Sequence, residues 1–192
     1  MAEEKQAPSQ ELATQFTSFA TLGVMGTTQE LARAVLQTVD EADPELVAEE
    51  TLCLVAMATS RAAAVGLEDH PEVARTVTPV LRELPFSYRD YLVGNAMIAE
   101  KDTSLLDANE EVYRRLTRKQ EFYEVHLPEG QFPGEHALNE KMALWMGRVS
   151  PPKLPRSPEE HLEELDLVPM LLTHLKLILA FARRGEAPGG SQ

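Results

Sequence analysis

LCLVAMATSRAAAV, residues 52 to 65, contains a single charged side chain, Arg61, and neither proline nor glycine. Asp43 followed by Pro44 offers a side-chain cap and a first-turn proline, and Gly66 offers a stop. The run therefore belongs to one helix opening at residue 44. Apolar and small residues leave that helix no face suited to water, so its neighbours must surround it. Residues 44–65 are predicted to be a nearly all-apolar central helix of the core.

The rest of the chain supplies those neighbours. Its 192 residues are 43% hydrophobic but only 6% aromatic, and they are rich in Ala, Leu, Glu and Arg, which lose least on entering a helix. Apolar-polar alternation over five or more residues is missing, as are Asn-Gly and Asp-Gly turns and any repeat of fixed period. The expectation is an all-α fold, a single globular bundle of about seven to eight helices spanning residues 9–184. Polar or glycine-rich tails at 1–8 and 185–192 can bury little.

Caps and breakers place the helices. Leu12, Phe16, Phe19 and Ala20 form the stripe of a first helix, Ser9 to Thr21, ending near Gly23. Thr27 with Glu30 reads as a capping box that opens a second, buried through Leu31, Val35 and Val39. Pro71 opens a fourth, which Pro79 should kink or split, and Ser87 with Asp90 starts a fifth reaching Glu100. A sixth runs from Ser104 to His126. Residues 128–157 then form a proline-rich connection carrying one short amphipathic helix, Glu135 to Val149. The last helix begins at Ser157-Pro158-Glu159-Glu160, which joins a cap, a first-turn proline and an acidic capping-box partner. It should continue past a kink at Pro169 to Arg184.

Charge and cysteine content narrow the function classes. A formal net charge of −13 repels a phosphate backbone, so nucleic acid is not an expected partner. Such acidity also suits a salt-adapted source. The lone Cys53 cannot form an internal disulfide, and the acidic, polar first residues do not resemble a signal peptide, so the expected compartment is the cytoplasm. No membrane association is expected: Leu167 to Ala182 is short for a span and contains His174 and Lys176.

Candidate chemistry is sparse. His136 and Glu140, four residues apart, could share a metal ion, but they lie opposite the apolar stripe Leu138, Met142, Trp145, Met146 and Val149 and should face water. The chain has no Glu-x-x-His, His-Glu-x-x-His or Cys-x-x-Cys pattern, so neither a metal site nor a cofactor is expected. Cys53 sits in an apolar run that should raise its pKa and shield it. Arg114, Arg115, Arg118 and Lys119 follow Glu110 and Glu111 at ion-pair spacing and read as a salt-bridged surface.

Two readings of function remain. In the first, the protein is non-catalytic and binds a protein partner or a second copy of itself. Its surface would be Met142, Trp145 and Met146, with the second apolar face of the last helix, Met170, Leu177 and Phe181. In the second, an anionic small molecule occupies a pocket near Arg61 and the helix of Tyr88 and Tyr91. Arg61 would hold the anion, and His126 or a tyrosine would transfer a proton. Each of these residues also has a plainer role. Arg61 can reach along apolar surface to water, His126 can favour a helix C-terminus, and the tyrosines can pack at the core boundary.

Overall fold

Seven helices and no strand occupy the described residues: α1 (Glu3–Thr38), α2 (Pro44–Gly66), α3 (Pro71–Glu100), α4 (Leu105–His126), α5 (Glu135–Val149), α6 (Pro158–Leu165) and α7 (Leu167–Arg184). The computed structural model describes residues 3–100, 105–132, 134–150 and 157–184, with side chains left aside at 3–8, 96–100 and 105–108. The helices form one globular bundle around one hydrophobic core. The expected C-terminal tail lies outside the described residues, whereas α1 already begins within the stretch read as an N-terminal tail.

Asp43 caps α2 through its carboxylate, which accepts from the backbone N–H groups of Glu45 and Leu46 at 2.9 and 3.3 Å. From Glu50 to Ala63 every residue of α2 is buried, and α1, α3, α4, α5 and α7 all pack on it. The helix is less uniformly apolar than its sequence suggests. Glu50, Thr59 and Arg61 are buried within it, and each is paired with another helix or loop.

Those pairings, with ring and backbone contacts, define the topology. Thr59 meets His174 and Gly66 abuts Ala182, so α7 runs parallel to α2. Arg115 and Lys119 reach Glu49 while Arg61 reaches Leu127, so α4 is parallel to α2 as well. α1 is antiparallel to α7, with Phe19 stacked on Phe181 at 4.7 Å and Gly23 opposite His174. α3 is antiparallel to α4: Arg82 pairs with Glu124 and Tyr113 donates to Asp90.

The boundaries correct the sequence reading at three places. α1 is a single helix through Gly23, Thr27 and Glu30, so there is no break and no capping box there. A Cβ at Gly23 would lie 2.7 Å from His174 Cε1. Glycine serves a close approach of α7, not a stop. α3 is also unbroken, with both Pro79 and Pro85 inside it. Ser60 and Gln120 donate to the carbonyls of Thr78 and Arg82 beside the two prolines, tying α3 to α2 and α4. Packing on both sides outweighs the ~3 kcal/mol cost of a helical proline. Finally, the chain turns between α6 and α7 at Asp166, in the left-handed region at φ 52°, and the two helices bend by 65°. Pro169 falls in the first turn of α7, where no backbone donor is required.

Gly23 and Gly26 provide a paired test. A Cβ at Gly26 would meet nothing within 4 Å, so Gly26→Ala should stabilise the protein by about 0.5–1 kcal/mol through helix propensity. Gly23→Ala should destabilise it by about 1–3 kcal/mol, because the His174 ring must move. Thermal unfolding followed by circular dichroism should show the two melting temperatures shifting in opposite directions.

Candidate functional site

The stripe that the sequence offered either to α7 or to a partner is spent inside the molecule. Met142, Trp145 and Met146 are 0% exposed, packed where α5 meets α2, α6 and α7. Phe181 is 1% exposed, held between the rings of Phe16 and Phe19. These four residues present no surface to a partner, which corrects their assignment to an interaction face. His136 and Glu140 do face water. Among the described residues no group of three or more His, Cys, Asp or Glu side chains is placed to hold a metal ion.

Arg61 is 5% exposed, with Nε and Nη1 hydrogen-bonded within the protein. Nε donates to the Leu127 carbonyl and Nη1 to Glu129, each at 2.8 Å, and Glu124 lies 3.9 Å from Nη2. The guanidinium thus anchors the end of α4 to α2. A cavity of about 360 Å³ lies beside it, lined also by His126, Gln131, Phe132 and Lys141. Tyr88 and Tyr91, 39% and 64% exposed, are not there. Antiparallel packing places Tyr88 beside Glu45 and Ala48, about 20 Å along α2 from Arg61 by helical rise. The single pocket uniting Arg61 with the tyrosine helix is not formed.

A charged network that the sequence did not reveal joins three helices. Glu50, 2% exposed, accepts from Tyr123 Oη at 2.8 Å and from Arg148 Nε and Nη2 at 2.8 and 2.7 Å. Its neighbour Glu49 accepts from Arg115 and from Lys119 at 2.6 Å. Burial pushes the Glu49 carboxyl up, but hydrogen bonds and charge from Arg115 and Lys119 outweigh it and hold its pKa below the ordinary value. Arg114 keeps the local pairing with Glu110 expected of a surface helix. Arg115 and Lys119 instead turn inward. Cys53, buried beside this network, has its thiol pushed up to about 12 by burial and then by the Glu50 charge, which removes it as a nucleophile.

Another concave surface lies between α1 and α7. Phe19, Leu22, Gly23, Gly26, Thr27 and Glu30 form one helical stripe, and Pro169, Met170, Thr173, His174, Leu177 and Ile178 form the facing one. Together with Leu165 and Asp166 they line a groove of about 820 Å³. Leu22 is 75% exposed and Leu177 45%. Met170, half-buried, packs against the core below them. Of the partner face read from the sequence, Met170 and Leu177 therefore do lie at a surface.

At the groove floor His174 is buried, with Nε2 2.8 Å from Thr59 Oγ1. Burial lowers its pKa to about 4 from an ordinary 6.5. The unfolded chain then binds the proton more tightly, so stability from this residue is complete above pH 6.5 and falls as pH drops toward 4. Between pH 6.5 and 5 the loss should be about 2 kcal/mol. His174→Gln should flatten the stability profile in that window, as measured by urea unfolding at each pH.

No protein-family model, no curated protein and no solved structure matches this chain. Among the described residues, no single helix is long and apolar enough to cross a membrane.

Proposed function

We propose that this protein is a non-catalytic binding protein whose α1/α7 groove receives an amphipathic helix from a partner protein, with basic residues on its polar face. The observation that carries this reading is the exposure of Leu22 and Leu177 on opposite walls of one groove. A second face of α7 left without a cover is what a docking helix requires.

Dimensions and charge favour the same occupant. The α1 wall runs from Phe19 to Glu30, about 16 Å of helical rise, which matches roughly three turns of a bound helix. Gly26, where a Cβ would meet nothing within 4 Å, lowers that wall and allows close backbone approach. Glu30 and Asp166 supply carboxylates at the lining, and the chain carries a net charge of −13. A basic helix is attracted to such a surface, whereas a second copy of this acidic chain is repelled.

A designed peptide with leucines on one helical face and lysines on the other should bind with micromolar affinity by fluorescence anisotropy. Its glutamate counterpart should bind at least roughly tenfold more weakly. Leu22→Lys with Leu177→Lys should abolish binding while changing stability by about 0.5 kcal/mol or less, because both side chains are exposed. Equal binding of the two peptides would remove the charge argument. A concentration-dependent dimer lost in the double variant would assign the groove to self-association instead.

A further inference from the structure

A separate cavity of about 200 Å³ opens between α1, α2, α3 and α4, sharing no lining residue with the α1/α7 groove. Its walls are mostly apolar, built from Met25, Ala32, Leu52, Pro85, Leu92 and Leu116. A dry cavity of ~150 Å³ in another protein accepts benzene, so this one has room for one to two rings.

One polar group in the wall is unsatisfied. Thr28 is 7% exposed, and its hydroxyl has no hydrogen-bond partner among the described residues. Other helical threonines here behave differently: Thr14, Thr51, Thr76, Thr78 and Thr117 each donate to the carbonyl four residues earlier. A buried hydroxyl left unpaired is costly, so a group that pairs with it gains more than an ordinary hydrogen bond. Rotation about χ1 exchanges the threonine methyl and hydroxyl, and threonine in a helix populates two such rotamers. The hydroxyl can therefore turn to an occupant of the cavity.

The mostly apolar lining favours an uncharged occupant. Its two carboxylates, Glu45 and Glu49, are paired with Arg115, and Arg89 Nε donates to the Asn109 amide oxygen. Tyr88, half-exposed, adds an aromatic face to the lining. We infer that this cavity is a binding site for a neutral, mostly apolar molecule of one to two rings bearing a hydroxyl or carbonyl group that pairs with Thr28.

The probes are 2-naphthol and naphthalene, which differ by one hydroxyl, titrated into the full chain with methyl NMR shifts read at Leu52, Leu92 and Leu116. Both should saturate with shifts confined to this cavity, and 2-naphthol should bind roughly five- to tenfold more tightly. Thr28→Val should erase that preference while raising the melting temperature, since it removes an unpaired hydroxyl without changing shape. Ala32→Met, which fills the cavity, should abolish binding of both. Shifts scattered over the surface, or an unchanged preference in Thr28→Val, would overturn the proposal. So would undiminished binding in Ala32→Met.

Discussion

A carboxylate in the middle of the bundle must be surrounded by donors, and the placement of α4 and α5 follows from that need. Glu50 lies on the helix that five others enclose, where an ionised group without partners is strongly unfavourable. Tyr123 from α4 and the Nε–Nη2 edge of Arg148 from α5 meet it. Removing Arg148 should cost about 3 kcal/mol, because Glu50 stays buried without its bidentate partner. Arg148 also lies over the Phe122 ring at 4.3 Å, which couples the network to the aromatic packing of α4.

With α5 drawn to α2 by Arg148, its stripe of Met142, Trp145 and Met146 is consumed by the core. α7 is then held by contacts on the opposite side, with Gly66 against Ala182 and Phe181 between Phe16 and Phe19. Its remaining face, with Leu177 and Met170, has α1 and the end of α6 beside it. The α1/α7 groove is therefore a consequence of how α5 is anchored. The smaller cavity has a related origin: Pro85 and the short side chains of Ala32 and Ala48 leave space where α1, α2 and α3 converge.

Local chemistry was legible in the sequence. The Asp43 cap, the Ser157 capping box and the limits of α5 at Glu135 and Val149 all follow from residues within a turn of each boundary. Tertiary chemistry was not. Gly23 reads as a stop until His174 is seen against it, and Pro79 reads as a break until Ser60 is seen donating beside it. Periodicity correctly put Trp145 and Leu177 on apolar faces, but it reports a face and not its cover. The same limit hid the network: Arg115 has local carboxylates at helical spacing, yet Glu49 and Glu45 of another helix claim it.

The dependence of the bundle on Glu50 is open to direct measurement by a double-mutant cycle of Glu50→Gln and Arg148→Met, with stabilities from urea unfolding. If the buried pair holds α5 to α2, the two losses should be non-additive, with a coupling energy of about 1.5 kcal/mol or more. Additivity within about 0.5 kcal/mol would contradict the account, because α5 would then be held by its apolar stripe alone.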